Sequence, residues 1–239
     1  MPTLVLLHGF THTGASWDAV VAALGERYRA IAPDLRGHGS ASARQPVDLD
    51  GVIADLESLV SGEFTLAGYS MGGRLALHVA LALGDRVQRL ILIGASPGIA
   101  DARERAARRA ADDRLAGEIE RVTIEEFANR WATNPVLAGQ PARIRESVHA
   151  DRLRSTPSGL ARALRSLGAG VMTPLWDRLG TLGCPVTLIV GERDAKFVEI
   201  ATQMVSAIPD AQLAIVAGAG HAVHLEAPAR VAALIAERG

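Results

Sequence analysis

Short apolar segments alternate with longer amphipathic segments along most of the chain. Each apolar segment is closed by Gly or Pro, a pattern typical of buried strands in a parallel sheet. The predicted strands are residues 3–7, 29–32, 64–67, 90–93, 186–190 and 212–216. Between them, apolar residues recur at i, i+3 and i+4 and predict helices. The predicted helices are residues 17–24, 49–60, 72–83, 200–208 and 228–237.

The alternation stops between residues 96 and 178, where only helical patterns occur. They cover residues 102–121, 124–131, 142–153 and 159–167, with breaks at Asn134-Pro135, Pro141 and Pro157. Strands resume at residue 186, so this segment interrupts one sheet. We therefore predict an α/β fold with a mostly parallel, doubly wound sheet. Residues 1–97 and 179–239 form the predicted core, and residues 98–178 form a helical cap inserted between core strands.

The first chemical signal is Gly68-Tyr69-Ser70-Met71-Gly72, a G-x-S-x-G sequence between a predicted strand and a predicted helix. A sharp turn there would hold Ser70 in a strained backbone conformation and present its Oγ at the top of the sheet. Gly68 and Gly72 remove side chains that would clash in the turn. A glycine-rich turn with a capping serine is the simpler alternative, but the strand–turn–helix context favours a nucleophile elbow.

A reactive serine needs a base and an acid that orients the base. His221 lies in a glycine-rich loop between the last predicted strand and the last predicted helix, and it is the expected base. His224 is the nearby alternative. Asp194 follows the strand at 186–190 and is the expected acid, with Glu192 as the alternative. The order Ser70, Asp194, His221 is typical of the α/β-hydrolases, which the chain resembles over its whole length.

This resemblance implies the α/β-hydrolase fold and an oxyanion hole made of two backbone N–H groups. We expect one N–H from Phe10, in the sequence His8-Gly9-Phe10 that follows the first strand. The second is expected from Met71, at the N-terminus of the helix that follows Ser70. His8 itself is expected to be structural.

Composition and charge narrow the class of protein. The chain has 25 basic and 26 acidic residues and a net charge of −1, which argues against nucleic acid as a partner. Its single cysteine, Cys184, excludes an internal disulfide. No apolar run approaches the ~20 residues that span a bilayer, and no basic segment precedes the first apolar run. We expect a cytoplasmic monomer or small homo-oligomer without membrane insertion, metal or cofactor.

A closer resemblance is to the pyruvate-eliminating lyases of menaquinone (vitamin K2) biosynthesis, a family within this superfamily. The sequences that carry it are His8-Gly9-Phe10, Gly68-Tyr69-Ser70-Met71-Gly72-Gly73-Arg74, Ser96-Pro97-Gly98-Ile99, residues 127–135 and Gly191-Glu192-Arg193-Asp194-Ala195-Lys196-Phe197. The resemblance implies a carbon–oxygen lyase that removes pyruvate from a succinyl-enolpyruvyl-hydroxycyclohexene carboxylate. It also implies the substrate-binding residues, which are Tyr69, Arg74, Arg108, Trp131 and either Arg152 or Arg154.

The distribution of charge agrees with a polycarboxylate substrate. Residues 101–165 contain 13 arginines and 10 acidic residues, so the cap is the basic part of a slightly acidic chain. Arg74 lies one helical turn after Ser70, beside the expected nucleophile. A buried arginine needs anionic partners, and substrate carboxylates would supply them. A salt bridge to a neighbouring acid and a surface position are the alternatives for Arg74.

The three residues Ser70, Asp194 and His221 do not by themselves define the reaction. A lyase would use Ser70 as a general base. A hydrolase of carboxylate-bearing esters, thioesters or carbon–carbon bonds would use Ser70 as a nucleophile or a base. A non-catalytic ligand-binding protein of the same fold is the alternative from another class, but such a protein would have no need for Asp194.

Overall fold

A computed structural model describes residues 1–134 and 140–237, without the side chain of Arg143. Pro135, where a helix break was expected, lies outside the described residues. Six strands pair in the order β2-β1-β3-β4-β5-β6, and each of the pairs is parallel. The strands are β1 (Thr3–Leu7), β2 (Arg29–Ile31), β3 (Phe64–Tyr69), β4 (Val87–Ile93), β5 (Val186–Gly191) and β6 (Ala211–Val216).

Helices connect the strands and also fill the segment between β4 and β5. They are α1 (Asp18–Leu24), α2 (Leu49–Leu59), α3 (Met71–Leu83), α4 (Ala102–Ile119), α5 (Ile124–Trp131), α6 (Ala142–Arg152), α7 (Pro157–Leu167), α8 (Ala195–Ala207), α9 (Val223–Glu226) and α10 (Pro228–Ala236). Within the described ranges, none of these helices combines the length and apolar character needed to cross a membrane.

The main departure from the sequence prediction is α8, which begins at Ala195 instead of residue 200. Asp194 is its N-cap residue and Lys196 lies in its first turn. A cation in the first turn opposes the helix dipole, so the local sequence does not look like a helix start. The early start matters for the site because it fixes Asp194 at the junction of β5 and α8.

Both faces of the sheet are covered by helices, as the doubly wound prediction requires. Side chains of β1 alternate between the two cores: Val5 and Leu7 pack on the side of α2, α3 and α8. Leu4 and Leu6 pack on the opposite side, with α1 and α10. Such two-sided burial explains why the strands are continuous apolar runs rather than alternating ones.

Helices α4, α5 and α7 form a separate apolar cluster that includes Ala116, Phe127 and Leu160. Helix α7 contacts the loop that follows β2, where Arg162 donates to the carbonyl oxygen of Ser42 at 2.8 Å. Gly37 and Gly159 pack backbone against backbone, since a Cβ on either would meet the other's carbonyl oxygen. Among the residues that the structure describes, no strand lies between β4 and β5.

Candidate active site

Ser70 occupies the sharp turn between β3 and α3, with φ +52° and ψ −110°. A non-glycine residue at positive φ is strained, and such strain persists only where the surroundings hold it. The neighbouring glycines explain how the turn is possible. A Cβ at Gly72 would meet the carbonyl oxygens of Leu7 and His8, and a Cβ at Gly68 would meet the backbone of Gly72. The G-x-S-x-G spacing therefore follows from this backbone path.

The structure brings Ser70, His221 and Asp194 together. The distance from His221 Nε2 to Ser70 Oγ is 3.1 Å, and that from His221 Nδ1 to Asp194 Oδ2 is 2.6 Å. These partners assign the tautomer in which Nδ1–H donates to the carboxylate and Nε2 accepts from the serine hydroxyl. This arrangement lets Asp194 orient the imidazole while Nε2 remains available as a base.

The alternative residues occupy other places. His224 is fully buried between the rings of Trp17 and Tyr69, with ring centroids at 4.8 and 4.2 Å. Glu192 accepts from the backbone N–H of Gly218 at 2.8 Å, so it holds the loop that carries the base. His8 Nε2 accepts from the N–H of Leu35 at 2.9 Å. Burial lowers the pKa of His8 to about 4, which keeps its ring neutral.

Phe10 and Met71 lie where an oxyanion hole is expected. Met71 is the first residue of α3, so its N–H has no partner within the helix. Among the hydrogen bonds of the described residues, the N–H groups of Phe10 and Met71 donate to no other group. Both residues line the same cavity as Ser70. Two free backbone donors beside Ser70 can stabilise a negative charge that develops on a bound ligand.

The cavity beside Ser70 has a volume of ≈ 650 Å³, which is within the range of about 300–1,000 Å³ that is typical of small-molecule pockets. Residues of the sheet and its loops, such as Tyr69 and His221, line it together with Arg108 of α4 and Trp131 of α5. Trp131 packs edge-on against Phe10, with ring centroids 5.5 Å apart. A cavity of this size and position is suited to a small molecule held between sheet and cap.

Arg74 is buried in the wall of this cavity, with 8% of its surface exposed. It donates to the carbonyl oxygen of Leu167 at 3.0 Å and lies 3.3 Å from Met172 Sδ. No carboxylate of the described residues lies within ion-pair distance. Burial lowers the pKa of Arg74 to about 10, so the guanidinium remains charged at neutral pH. The surface and salt-bridge alternatives are therefore both wrong.

The cap arginines differ in their surroundings. Arg108 lines the cavity, is half-exposed and forms an ion pair with Asp112 at 2.8 Å. Arg152 is almost completely buried, with Nε 3.3 Å from Thr11 Oγ1. The Arg154 side chain is 64% exposed, with Nε 4.0 Å from Asp151 Oδ1. Burial beside Thr11 distinguishes Arg152 from Arg154, although neither is among the described residues that line the cavity.

Several residues of the site were not singled out from the sequence. His12, Asp112, Lys196 and Phe197 line the cavity, and Phe197 packs against the His221 ring at 4.5 Å. Of these four residues, only Lys196 stands out in the sequence, because it is the single lysine among 25 basic residues. Among the residues described, no group of three or more His, Cys, Asp or Glu side chains could hold a metal ion.

The strand–turn–helix serine, its histidine and its aspartate define the class of protein. A family model described as "Alpha/beta hydrolase family" matches residues 4–234. The chain therefore belongs to the α/β-hydrolase family.

Relatives narrow this class. A Bacillus subtilis protein named "Putative 2-succinyl-6-hydroxy-2,4-cyclohexadiene-1-carboxylate synthase" is 35% identical over 98% of this chain and 89% of that protein. The solved "Structure of MenH from S. aureus" superposes with a TM-score of 0.93 at 32% identity, covering 99% of this chain and 92% of that one. A thermophilic esterase from Thermogutta terrifontis, solved with malate bound, gives a TM-score of 0.78 at 27% identity, covering 100% and 89%.

Proposed function

We propose that the protein is a carbon–oxygen lyase acting on 2-succinyl-5-enolpyruvyl-6-hydroxy-3-cyclohexene-1-carboxylate. It eliminates pyruvate and yields 2-succinyl-6-hydroxy-2,4-cyclohexadiene-1-carboxylate. The observation that carries the proposal is Arg74, a buried cation in the wall of the cavity that contains Ser70, which donates to a carbonyl oxygen and has no described carboxylate within ion-pair distance. A cation placed in this way favours a carboxylate-bearing substrate, and full-length relatives bear the name of this synthase.

The reaction starts with proton transfer. His221, oriented by Asp194, takes the hydroxyl proton of Ser70, and the resulting alkoxide removes a ring proton beside the succinyl carbonyl. The electron pair of the broken C–H bond moves toward the carbonyl oxygen. The N–H groups of Phe10 and Met71 stabilise the negative charge that develops there.

Elimination follows from this enolate. Its electron pair forms a double bond between ring carbons C2 and C3, the pair of the existing C3=C4 bond moves to C4=C5, and the C5–O bond to the enolpyruvyl group breaks, which gives the 2,4-diene of the product. The leaving group departs as the enolate of pyruvate. The proton that His221 took from Ser70 passes, directly or through solvent, to the methylene carbon of this enolate, which gives pyruvate and returns His221 to its neutral form. No acyl-enzyme forms, which is the chief difference from an esterase with the same three residues.

The remaining site residues bind the substrate. Arg74 and Arg108, which both line the cavity, hold carboxylates of the substrate, since arginine binds carboxylates through two parallel hydrogen bonds. We assign the third arginine to Arg152 rather than Arg154, because the Arg152 side chain is the buried one of the two. Tyr69 and Trp131 enclose the ring of the substrate. Burial raises the pKa of Tyr69, so its hydroxyl stays neutral.

Pyruvate release from this substrate by the purified protein tests the proposal. Formation of pyruvate at a rate proportional to enzyme concentration is the expected result. Release no faster than the uncatalysed background would contradict it. The neighbouring genes offer a second check, since the preceding and following steps of menaquinone biosynthesis would be encoded close by.

A hydrolase of a carboxylate-bearing ester is the second candidate. It is favoured by the same hydrogen-bonded Ser70, His221 and Asp194 and by similarity to the malate-bound esterase. A nucleophilic Ser70 would give a burst of leaving group equal to the enzyme concentration with an activated ester. Such a burst without pyruvate release from the ring substrate would favour this candidate.

We also propose the setting in which the reaction takes place. The substrate is a small polycarboxylate, and neither nucleic acid nor a membrane takes part. The protein works in the cytoplasm as a monomer or small homo-oligomer. Residues 1–97 and 179–239 act as the catalytic core, and residues 98–178 act as a cap that supplies Arg108, Trp131 and Arg152.

A further inference from the structure

Asp151, near the end of α6, reaches from the cap to the loop that follows β1. Its side chain is buried, with 7% of the residue exposed. The carboxylate accepts from the backbone N–H of Thr13 at 3.0 Å and from the Thr13 hydroxyl, and it lies 3.4 Å from His12 Nδ1. Burial raises the pKa of Asp151, but the donors of His12 and Thr13 outweigh that effect and lower it to about 2. The group is therefore a carboxylate at every pH of interest.

The loop that Asp151 holds, residues 9–13, contains the expected oxyanion donor Phe10. Its backbone is strained at Thr11, which has a φ of +69°. Thr11 and Ser70 are the only non-glycine residues with positive φ in the described part of the chain. A β-branched residue disfavours this conformation, so contacts from outside the loop must maintain it. Asp151 supplies such contacts two residues away, at Thr13.

The next residue on the same helix also contacts this loop. Arg152 Nε lies 3.3 Å from the Thr11 hydroxyl, so two consecutive cap residues hold the strained segment. Asp151 also favours the charged form of Arg152, whose pKa burial lowers to about 10. The last turn of α6 thus connects the Arg152 guanidinium of the cap to the backbone of residues 9–13.

We propose that Asp151 is a positioning residue that holds loop 9–13 so that the Phe10 N–H points at the oxyanion, and that it couples this donor to Arg152. The inference rests on the proposed function for its substrate, but its geometry applies to any reaction that develops an oxyanion at Ser70. Asp151 acts through Thr13, Thr11 and Phe10, and it touches no reacting atom. Its loss should therefore lower the rate of the chemical step more than it weakens substrate binding.

The test compares Asp151→Asn with Asp113→Asn, a control that removes an exposed cap carboxylate outside the cavity. The asparagine keeps the volume of the side chain but removes its charge and one acceptor oxygen. For pyruvate release, we expect kcat to fall by about tenfold or more and KM to change by less than about threefold. Asp113→Asn should leave both constants within about twofold of the wild type.

A second measurement does not depend on the substrate. A 4-nitrophenyl phosphonate labels Ser70 and places its phosphoryl oxygen in the oxyanion hole, so 4-nitrophenolate release reports the state of that hole. We expect slower labelling in Asp151→Asn, in parallel with kcat. Equal labelling and equal kcat in a folded Asp151→Asn protein would overturn the proposal and leave Asp151 with a purely structural role.

Thr13→Val covers the case in which Asp151→Asn does not fold. It removes the hydroxyl donor to Asp151 while keeping the backbone N–H donor and the side-chain volume. The expected loss of labelling rate is smaller, about threefold, and an unchanged rate would contradict the proposal. If the wild type releases no pyruvate but the variants still label slowly, the proposed substrate fails and the positioning role of Asp151 stands.

Discussion

Arg74 donates its Nη2–H to the carbonyl oxygen of Leu167 at 3.0 Å rather than to a carboxylate. Its position in the helix after Ser70 places this cation in the cavity wall. Asp112 favours the charged form of Arg74 but lies beyond ion-pair distance, so burial of this cation remains costly until a ligand brings an opposite charge to it. Arg74 therefore lowers the stability of the free protein and raises its affinity for a carboxylate-bearing substrate.

Replacing Arg74 with methionine should weaken binding of the substrate. The change removes the charge and the two parallel donors but keeps an unbranched side chain. We expect KM to rise by about tenfold to a hundredfold, with a smaller effect on kcat. Steady-state pyruvate release measures both constants. Arg165→Met, at an ion pair with Glu120 outside the cavity, is the matched control and should leave KM unchanged.

The same variant should make the free protein more stable. Arg74→Met removes a desolvated cation and leaves one carbonyl oxygen, that of Leu167, without its donor. The net gain in the free energy of unfolding should be about 1 kcal/mol, because the cost of the unpaired charge exceeds that of the lost hydrogen bond. Urea unfolding measures it. Arg165→Met should instead lose up to about 1 kcal/mol, and a loss in Arg74→Met as well would refute this reasoning.

Replacing a glycine with alanine should destabilise the protein in the turn at Ser70 and stabilise it in the cap. A Cβ at Gly72 would meet the carbonyl oxygens of Leu7 and His8, whereas a Cβ at Gly117 in α4 meets nothing within 4 Å. Gly72→Ala should lower the melting temperature and abolish activity. Gly117→Ala should stabilise the protein by about 0.5–1 kcal/mol without changing activity. Calorimetry and the pyruvate assay on both variants check these outcomes.

Buried neutral histidines should make the protein sensitive to mild acid. Burial lowers the pKa of His8 to about 4 and that of His38 to about 3, below the value near 6.5 of an unfolded chain. The unfolded state therefore binds more protons than the folded state between these values. Stability is fully present above about pH 6.5 and falls toward pH 4, by up to about 1.4 kcal/mol per pH unit for each histidine.

His8→Gln isolates one of these groups. Glutamine keeps an acceptor for the N–H of Leu35 but does not titrate. The free energy of unfolding, measured in urea at pH 7.5 and pH 5, should fall less in His8→Gln than in the wild type. An identical fall in both proteins would show that His8 is not protonated on unfolding.

Local sequence was sufficient for those parts of the site that depend on backbone geometry. The glycines around Ser70 are required by the turn, and the carboxyl ends of parallel strands place Asp194 and His221 at the same edge of the sheet. Asp151 and Thr13 are 138 residues apart in the sequence, and their contact depends on how the cap packs against the sheet. No local sequence pattern could therefore predict it. The start of α8 at Ala195 was not predicted, because the charge of Lys196 in the first turn opposes the helix dipole and is unusual at a helix N-terminus.

In the reaction that we propose, Ser70 acts as a base in an elimination. The direct measurement is pyruvate release from 2-succinyl-5-enolpyruvyl-6-hydroxy-3-cyclohexene-1-carboxylate by the wild type and Ser70→Ala, followed in the first turnover as well as at steady state. We expect rapid release by the wild type, no covalent intermediate, and a loss of about a thousandfold or more in Ser70→Ala. Wild-type release at the background rate, or a covalent adduct at Ser70 during turnover, would contradict it.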